Sequence, residues 1–141
     1  MSSASAIADA LVTMLSAASV FGSGNVNKNS YKVLETAACS AAVISLNSVR
    51  SVAVAFGNDR ERTWSMGINA YIKDTGDPSD ALNRVFNIAD KVVACLDADD
   101  TILGTIDKVT NISITRNENK FTQAGGSVWL PVDIVVELTE L

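Results

Sequence analysis

Histidine is absent from this chain of 141 residues. That removes the usual neutral-pH general base, the commonest metal ligand and any Ser-His or Cys-His nucleophile pair. Cysteine is nearly absent: Cys39 and Cys95 are too few and too far apart in sequence for a disulfide scaffold or a zinc motif, and read as reduced, buried thiols. Charge is scarce too, at 19% of residues against roughly 25% in average soluble proteins. The first 49 residues hold only Asp9, Lys28, Lys32 and Glu35 as charges. Basic residues are outnumbered 16 to 11, for a net charge of −5, which argues against a surface that tracks phosphates. No basic leader opens the chain and no apolar run reaches the roughly 18 residues of a membrane span. The expectation is therefore a protein made and kept in the cytoplasm, with no membrane partner and no cofactor, and not an enzyme.

What is present is a 48% hydrophobic chain of a size suited to one domain, residues 1–141. Ile7, Leu11, Met14, Leu15, Ala18 and Phe21 recur at three- and four-residue steps, which predicts a helix from Ser5 to Phe21, stopped by Gly22-Ser23-Gly24. Its other face, with Ala8, Asp9, Val12, Ser16 and Ser19, is bland for a surface bathed in water. Polar residues through Ser30 predict an ordered loop or arm. Residues 34–56 have no clear period; Val43 to Leu46 reads as a short buried strand, and Val52, Val54 and Phe56 as a second after Asn47-Ser48. The alternation of Trp64, Met66, Ile68, Ala70 and Ile72 with polar neighbours predicts a half-buried strand, joined to its predecessor by a charged tip at Asp59-Arg60-Glu61-Arg62.

Asp77-Pro78-Ser79-Asp80 predicts a second helix, capped by Asp77, with Pro78 in the first turn, running to about Asp97. Its expected core stripe is Leu82, Val85, Phe86, Ala89, Val92, Val93 and Leu96, whose six large side chains would contribute on the order of 10 kcal/mol at ~1.5 to 3 kcal/mol each. A strand follows around Thr110, Ile112 and Ile114, then a turn at 116–120. A long strand from Ser127 to Leu138 closes the chain, where Pro131 predicts an edge position or a bulge. Trp129 on its mixed face is expected to be covered by a loop or touched by a partner. The fold class is α+β: a mostly antiparallel twisted sheet of four to five strands packed against two helices.

One stretch looks like a site of chemistry, Cys95-Leu96-Asp97-Ala98-Asp99-Asp100. As a calcium loop starting at Asp97 it fails where position six, which needs Gly, holds Ile102 and where position twelve, which needs Glu, holds Lys108. No metal site is expected. Asp97, Asp99 and Asp100 read instead as solvated charge at the end of a core helix, and neutralising all three is expected to leave folding intact.

The order of elements in a small, acidic, His-free chain resembles that of the tail terminator family of tailed bacteriophages, also called minor tail or tail completion proteins. The residues that carry the likeness are Arg62-Thr63-Trp64-Ser65-Met66-Gly67-Ile68-Asn69-Ala70-Tyr71-Ile72 ahead of a helix opening Asp77-Pro78-Ser79-Asp80-Ala81-Leu82, and the ending Gly126-Ser127-Val128-Trp129-Leu130-Pro131-Val132-Asp133-Ile134-Val135-Val136-Glu137. The resemblance implies a virion structural protein at the head-tail junction, made in the host cytoplasm. It implies a hexameric ring that caps the tail tube, stops its polymerisation and joins it to the head connector protein. DNA passes through such a ring without specific binding. A ring needs two different patches on each subunit. The candidates are Asp9 and Val12 on the bland helix face, Arg60 and Arg62 at the hairpin tip, and Trp129, with Asp97, Asp99 and Asp100 as lumen or rim charge. Another head-tail connector or neck subunit is the nearest rival, and a small α+β ligand-binding module a more distant one.

Overall fold

The computed structural model describes residues 3–21, 25–28, 39–53, 60–74, 78–116, 122–124 and 127–140. The expected cap at Asp77, the hairpin residues 54–59 and all of the expected turn at 116–120 except Arg116, which ends a strand, lie outside them. Helix α1 spans Ala4–Ala17, capped by Ser3, whose Oγ accepts from the Ala6 N–H at 3.1 Å. It stops four residues before the predicted end. Ser19 takes a left-handed φ of 55°, Val20 N–H donates to Leu15 O and Ser19 N–H to Ser16 O, the paired bonds of a Schellman terminus. That turn sends Val20 and Phe21 into the core in place of a further helical turn.

The sheet runs in the order β1 (Val26–Lys28), β2 (Ser40–Ala53), β3 (Arg60–Lys73), β6 (Ser127–Glu140), β4 (Lys108–Arg116), with β5 (Thr122–Ala124) also paired to β6. All pairs are antiparallel except β1 with β2. Among the described residues the architecture is thus α+β, with a mostly antiparallel sheet and two helices, as expected. Two short strands were not foreseen. β1 lies where a loop was predicted, and β5 joins β6 across Gly125-Gly126, with Ala124 opposite Ser127. That two-glycine spacer is a hairpin signal legible in the sequence.

Within the described residues, which end here at Ala53, the stretch predicted as two strands is one. β2 carries a bulge at Asn47, since Leu46 pairs with Met66 and Ser48 with Ser65. One extra residue shifts the alternation by a step, so Ala42, Ile44 and Leu46 face the helices before the bulge and Val49, Ser51 and Ala53 after it. The phase change is what hid the strand. On the outer face beside the bulge, Asn69 Nδ2 donates to Ser45 Oγ at 2.9 Å and to Val43 O at 3.3 Å. A Cβ at Gly67 would meet that Ser45 Oγ at 2.9 Å, so glycine makes room for this polar contact.

Pro131 occupies a central strand, not an edge. Lys73 N–H donates to Cys39 O on the β2 side and Asp74 N–H to Val128 O on the β6 side. Amides of odd-numbered β3 residues in this stretch therefore point away from β6, and Pro131, opposite Tyr71, belongs to a pair that exchanges no hydrogen bonds with β3. Its missing donor faces the other neighbour, between Trp129, where β5 pairs, and Val132, where β4 does. Proline is tolerated there because one partner strand hands over to another.

Helix α2 spans Pro78–Ala98 and, with α1, covers one face of the sheet. The core between the layers includes Ile7, Leu11 and Leu15 of α1, Ile44, Met66, Ile68, Ile72, Ile134, Val136 and Leu138 of the sheet, and Val92 and Leu96 of α2. The expected α2 stripe is corrected by this packing. Ile88, Val92 and Leu96 are buried and Val85 and Cys95 partly so, whereas Leu82 is 41% exposed, Phe86 67% and Val93 36%. The apolar arc of the helix is wider than the surface that meets it, and α1 draws the Cys95 flank inward: Cys95 Sγ donates to Met14 O at 3.7 Å.

Candidate functional site

The acidic stretch after α2 builds a turn. The Asp99 carboxylate accepts from Thr101 Oγ1 at 2.6 Å, Thr101 N–H at 3.1 Å and Leu103 N–H at 3.0 Å. These bonds hold three successive residues at positive φ: Ile102 at 50°, Leu103 at 55° and Gly104 at 78°. For a β-branched residue that conformation costs about 1–3 kcal/mol. Here it drives the Ile102 side chain to full burial, with Ile106 following it into the core. Thr101 and Leu103 donate to one carboxylate and hold the Asp99 pKa below the ordinary carboxylate range, the Thr101 hydroxyl first. Asp99 is therefore part of the fold and not free rim charge, which revises the expectation that all three aspartates are dispensable for folding. Asp97 and Asp100 are exposed. Burial, and secondarily the Asp99 charge, pushes the Cys95 thiol up, so it stays protonated as a donor. Cys39 is exposed, contrary to the buried expectation. Among the described residues no group of three His, Cys, Asp or Glu side chains is placed to hold a metal ion.

The other predicted residues fall in separate places. Asp9 pairs with Lys28 Nζ at 2.9 Å, which ties α1 to β1, and Val12 packs partly against the core. Trp129 is covered by its own chain at 1% exposure, in a small outer-face cluster with Ala41, Val43 and Tyr71. Lys73 Nζ stands 6.0 Å from its ring centroid, at the limit of a cation–π contact. Arg62 reaches Glu140 at 3.8 Å, and Arg60 holds Ser51 through Oγ at 2.7 Å and the carbonyl at 3.0 Å.

Neither Arg60 nor Arg62 sits on a bare tip. β2 and β3 continue as paired strands to Ala53 and Arg60, past β1, whose pairing ends at Ile44; β6 stays paired to β3 as far as Arg62 opposite Glu140, so this β2–β3 arm is open only along its β2 edge. Every residue of β2 from Leu46 to Ala53 is exposed, including Leu46 at 46%, Val49 at 49% and Val52 at 43%. On the face of this arm turned to the helix side, Leu46 and Met66 are followed by Val49 and Trp64, then Ser51 and Arg62, then Ala53 and Arg60. The Trp64 indole N–H is buried there without a hydrogen-bond partner.

The second exposed apolar row lies on α2. Leu82, Phe86, Asp90, Val93 and Asp97 follow at steps of four, four, three and four, which aligns them on one flank of a helix. At 100° per residue Cys95, Arg84 and Lys91 lie on the opposite flank. Cys95 faces α1, which packs over β1 and β2, so the Leu82–Asp97 row faces the β4 side. The two rows thus lie at opposite edges of the sheet order. Sequence reading missed both, placing the α2 residues in the core and splitting the strand that carries the others. No protein-family model matches the chain, and no curated protein is similar enough to count as a relative.

Proposed function

We propose that this chain is a virion structural subunit of the tail terminator type, forming a hexameric ring that caps the tail tube, ends its growth and joins it to the head connector, with a channel for DNA. The observation that carries the reading is the exposure of two separate rows of large apolar side chains, Leu46 with Val49 on the β2–β3 arm and Leu82 with Phe86 and Val93 on α2. Exposed apolar side chains that line up on one face of a small protein suit a surface that another protein covers. Two unlike patches on one chain suit head-to-tail assembly, which closes into a ring when the rotation allows. The element order supports the more specific assignment, since it is the one the resemblance rests on. The net charge of −5 fits a channel wall that does not retain DNA.

Negative-stain electron microscopy and analytical ultracentrifugation of the purified protein, alone and with polymerising tail-tube protein, test this. Six-membered rings, or short capped tubes, are the expected result. A monomer that neither rings nor halts tube growth would overturn it. Rings that bind a connector but leave tube growth unchanged would favour another neck subunit.

A further inference from the structure

We infer that the subunit contact is an arm-to-helix joint. The helix-side face of the β2–β3 arm of one copy docks on the Leu82–Asp97 row of the next copy's α2. The inference rests on the reading of the chain as a ring subunit and adds which surfaces meet. Three observations select a second copy of this chain as the occupant. The rows lie at opposite edges of one sheet, as a head-to-tail contact requires. They are similar in length: residues 82 to 97 of a helix span about 22 Å, and the strand from Leu46 to Ala53, six ladder steps from Met66 to Arg60 once the bulge is taken out, about 20 Å.

They also match in chemistry. The arm presents Leu46 and Val49 and then the exposed Arg60, with Arg62 beside it already paired to Glu140 at 3.8 Å, while the α2 row presents Leu82, Phe86 and Val93 with Asp90 and Asp97 as its charges. The basic residues of α2, Arg84 and Lys91, lie on the other flank, and Arg84 is paired with Asp80 at 3.0 Å. Apolar contact supplies the affinity, and the arginine–aspartate pairing fixes which way round the copies meet.

Site-directed cross-linking in a Cys39→Ser, Cys95→Ser background tests the joint, with thermal melts first showing that each variant folds. Protein carrying Val49→Cys is mixed with protein carrying Phe86→Cys and treated with a short thiol cross-linker. The expected product is the mixed dimer, and a chain carrying both cysteines should give a ladder. Arg60→Asp or Asp97→Arg should each cut the yield about tenfold, equivalent to 1.4 kcal/mol. Combining Arg60→Asp with Asp97→Arg on facing copies should restore it.

Rings seen by microscopy without a 49-to-86 product would overturn this joint and leave the ring standing. A ladder of open chains that never closes would keep the joint and overturn the ring. Homodimers joined 86 to 86 or 49 to 49 as the main product, or no cross-linked product at any protein concentration, would overturn the joint.

Discussion

At the scale of single residues, Asp99 decides how the chain leaves α2. Its carboxylate offsets part of the cost of two non-glycine residues at positive φ, and Ile102 becomes a core residue through that turn. Asp99→Ala should therefore lower the melting temperature clearly, whereas Asp97→Asn and Asp100→Asn should stay within ~0.5 kcal/mol of the parent, as exposed positions do. The pH dependence carries the sign of a depressed carboxyl. With the folded pKa below the unfolded one, the contribution is complete above the unfolded value and is lost as pH falls through the folded value. Melting curves of parent and Asp99→Ala should differ by a constant amount near neutrality and converge in acid below the ordinary carboxylate range. A gap unchanged down to that acid would mean that the carboxylate bonds are not what the substitution removes. The acidic cluster was visible in the sequence, but three adjacent aspartates look alike there. Only the path of the chain after α2 gives one of them three donors.

At the scale of elements, α2 shows how a helix can be foreseen and its buried face misjudged. Its start at Pro78 and its end near Asp97 follow from capping residues and periodicity, which are local. Its apolar residues cover a broad arc, and local pattern cannot say which part meets the sheet. The structure puts Leu96 at full burial and leaves Phe86 67% exposed. In urea unfolding of the monomer, Leu96→Ala should cost about 2–5 kcal/mol, and Phe86→Ala should fall within ~0.5 kcal/mol of the parent. Equal costs would place Phe86 in the core after all. β2 teaches the same lesson in strand form. Its four consecutive buried residues, Ala41 to Ile44, are covered on both faces, and the bulge at Asn47 then reverses the alternation. A two-residue period read across that point gives two strands where there is one.

At the scale of the whole molecule, the sheet order sets what assembly can use. β2 beyond Ile44 lacks the β1 neighbour, and α2 presents its spare apolar flank on the β4 side. An exposed strand of this length is a hazard for uncontrolled pairing unless something covers it. Arm-to-helix docking would cover it with a closed and countable assembly. If Arg60 meets Asp90 or Asp97, the concentration at which rings fall to monomers should rise with salt, because screening shortens from about 10 Å at 0.1 M to about 3 Å at 1 M. Sedimentation across that range reads the effect. A midpoint indifferent to salt would leave an apolar contact without the charge pairing.

By itself the sequence determined what depends on neighbours along the chain: the α+β class, helices α1 and α2, the long last strand and a composition without histidine. Periodicity and capping are properties of a few adjacent residues, so one sequence suffices to read them. Tertiary structure alone decided that Trp129 is covered within its own chain and that Pro131 lies in a central strand. It also decided that Asp99 braces a turn, and that Leu46, Val49, Leu82, Phe86 and Val93 remain outside. Each of these depends on which distant segment lies alongside. Burial is set by the partner surface, and the pattern of one segment carries no record of how far that surface extends.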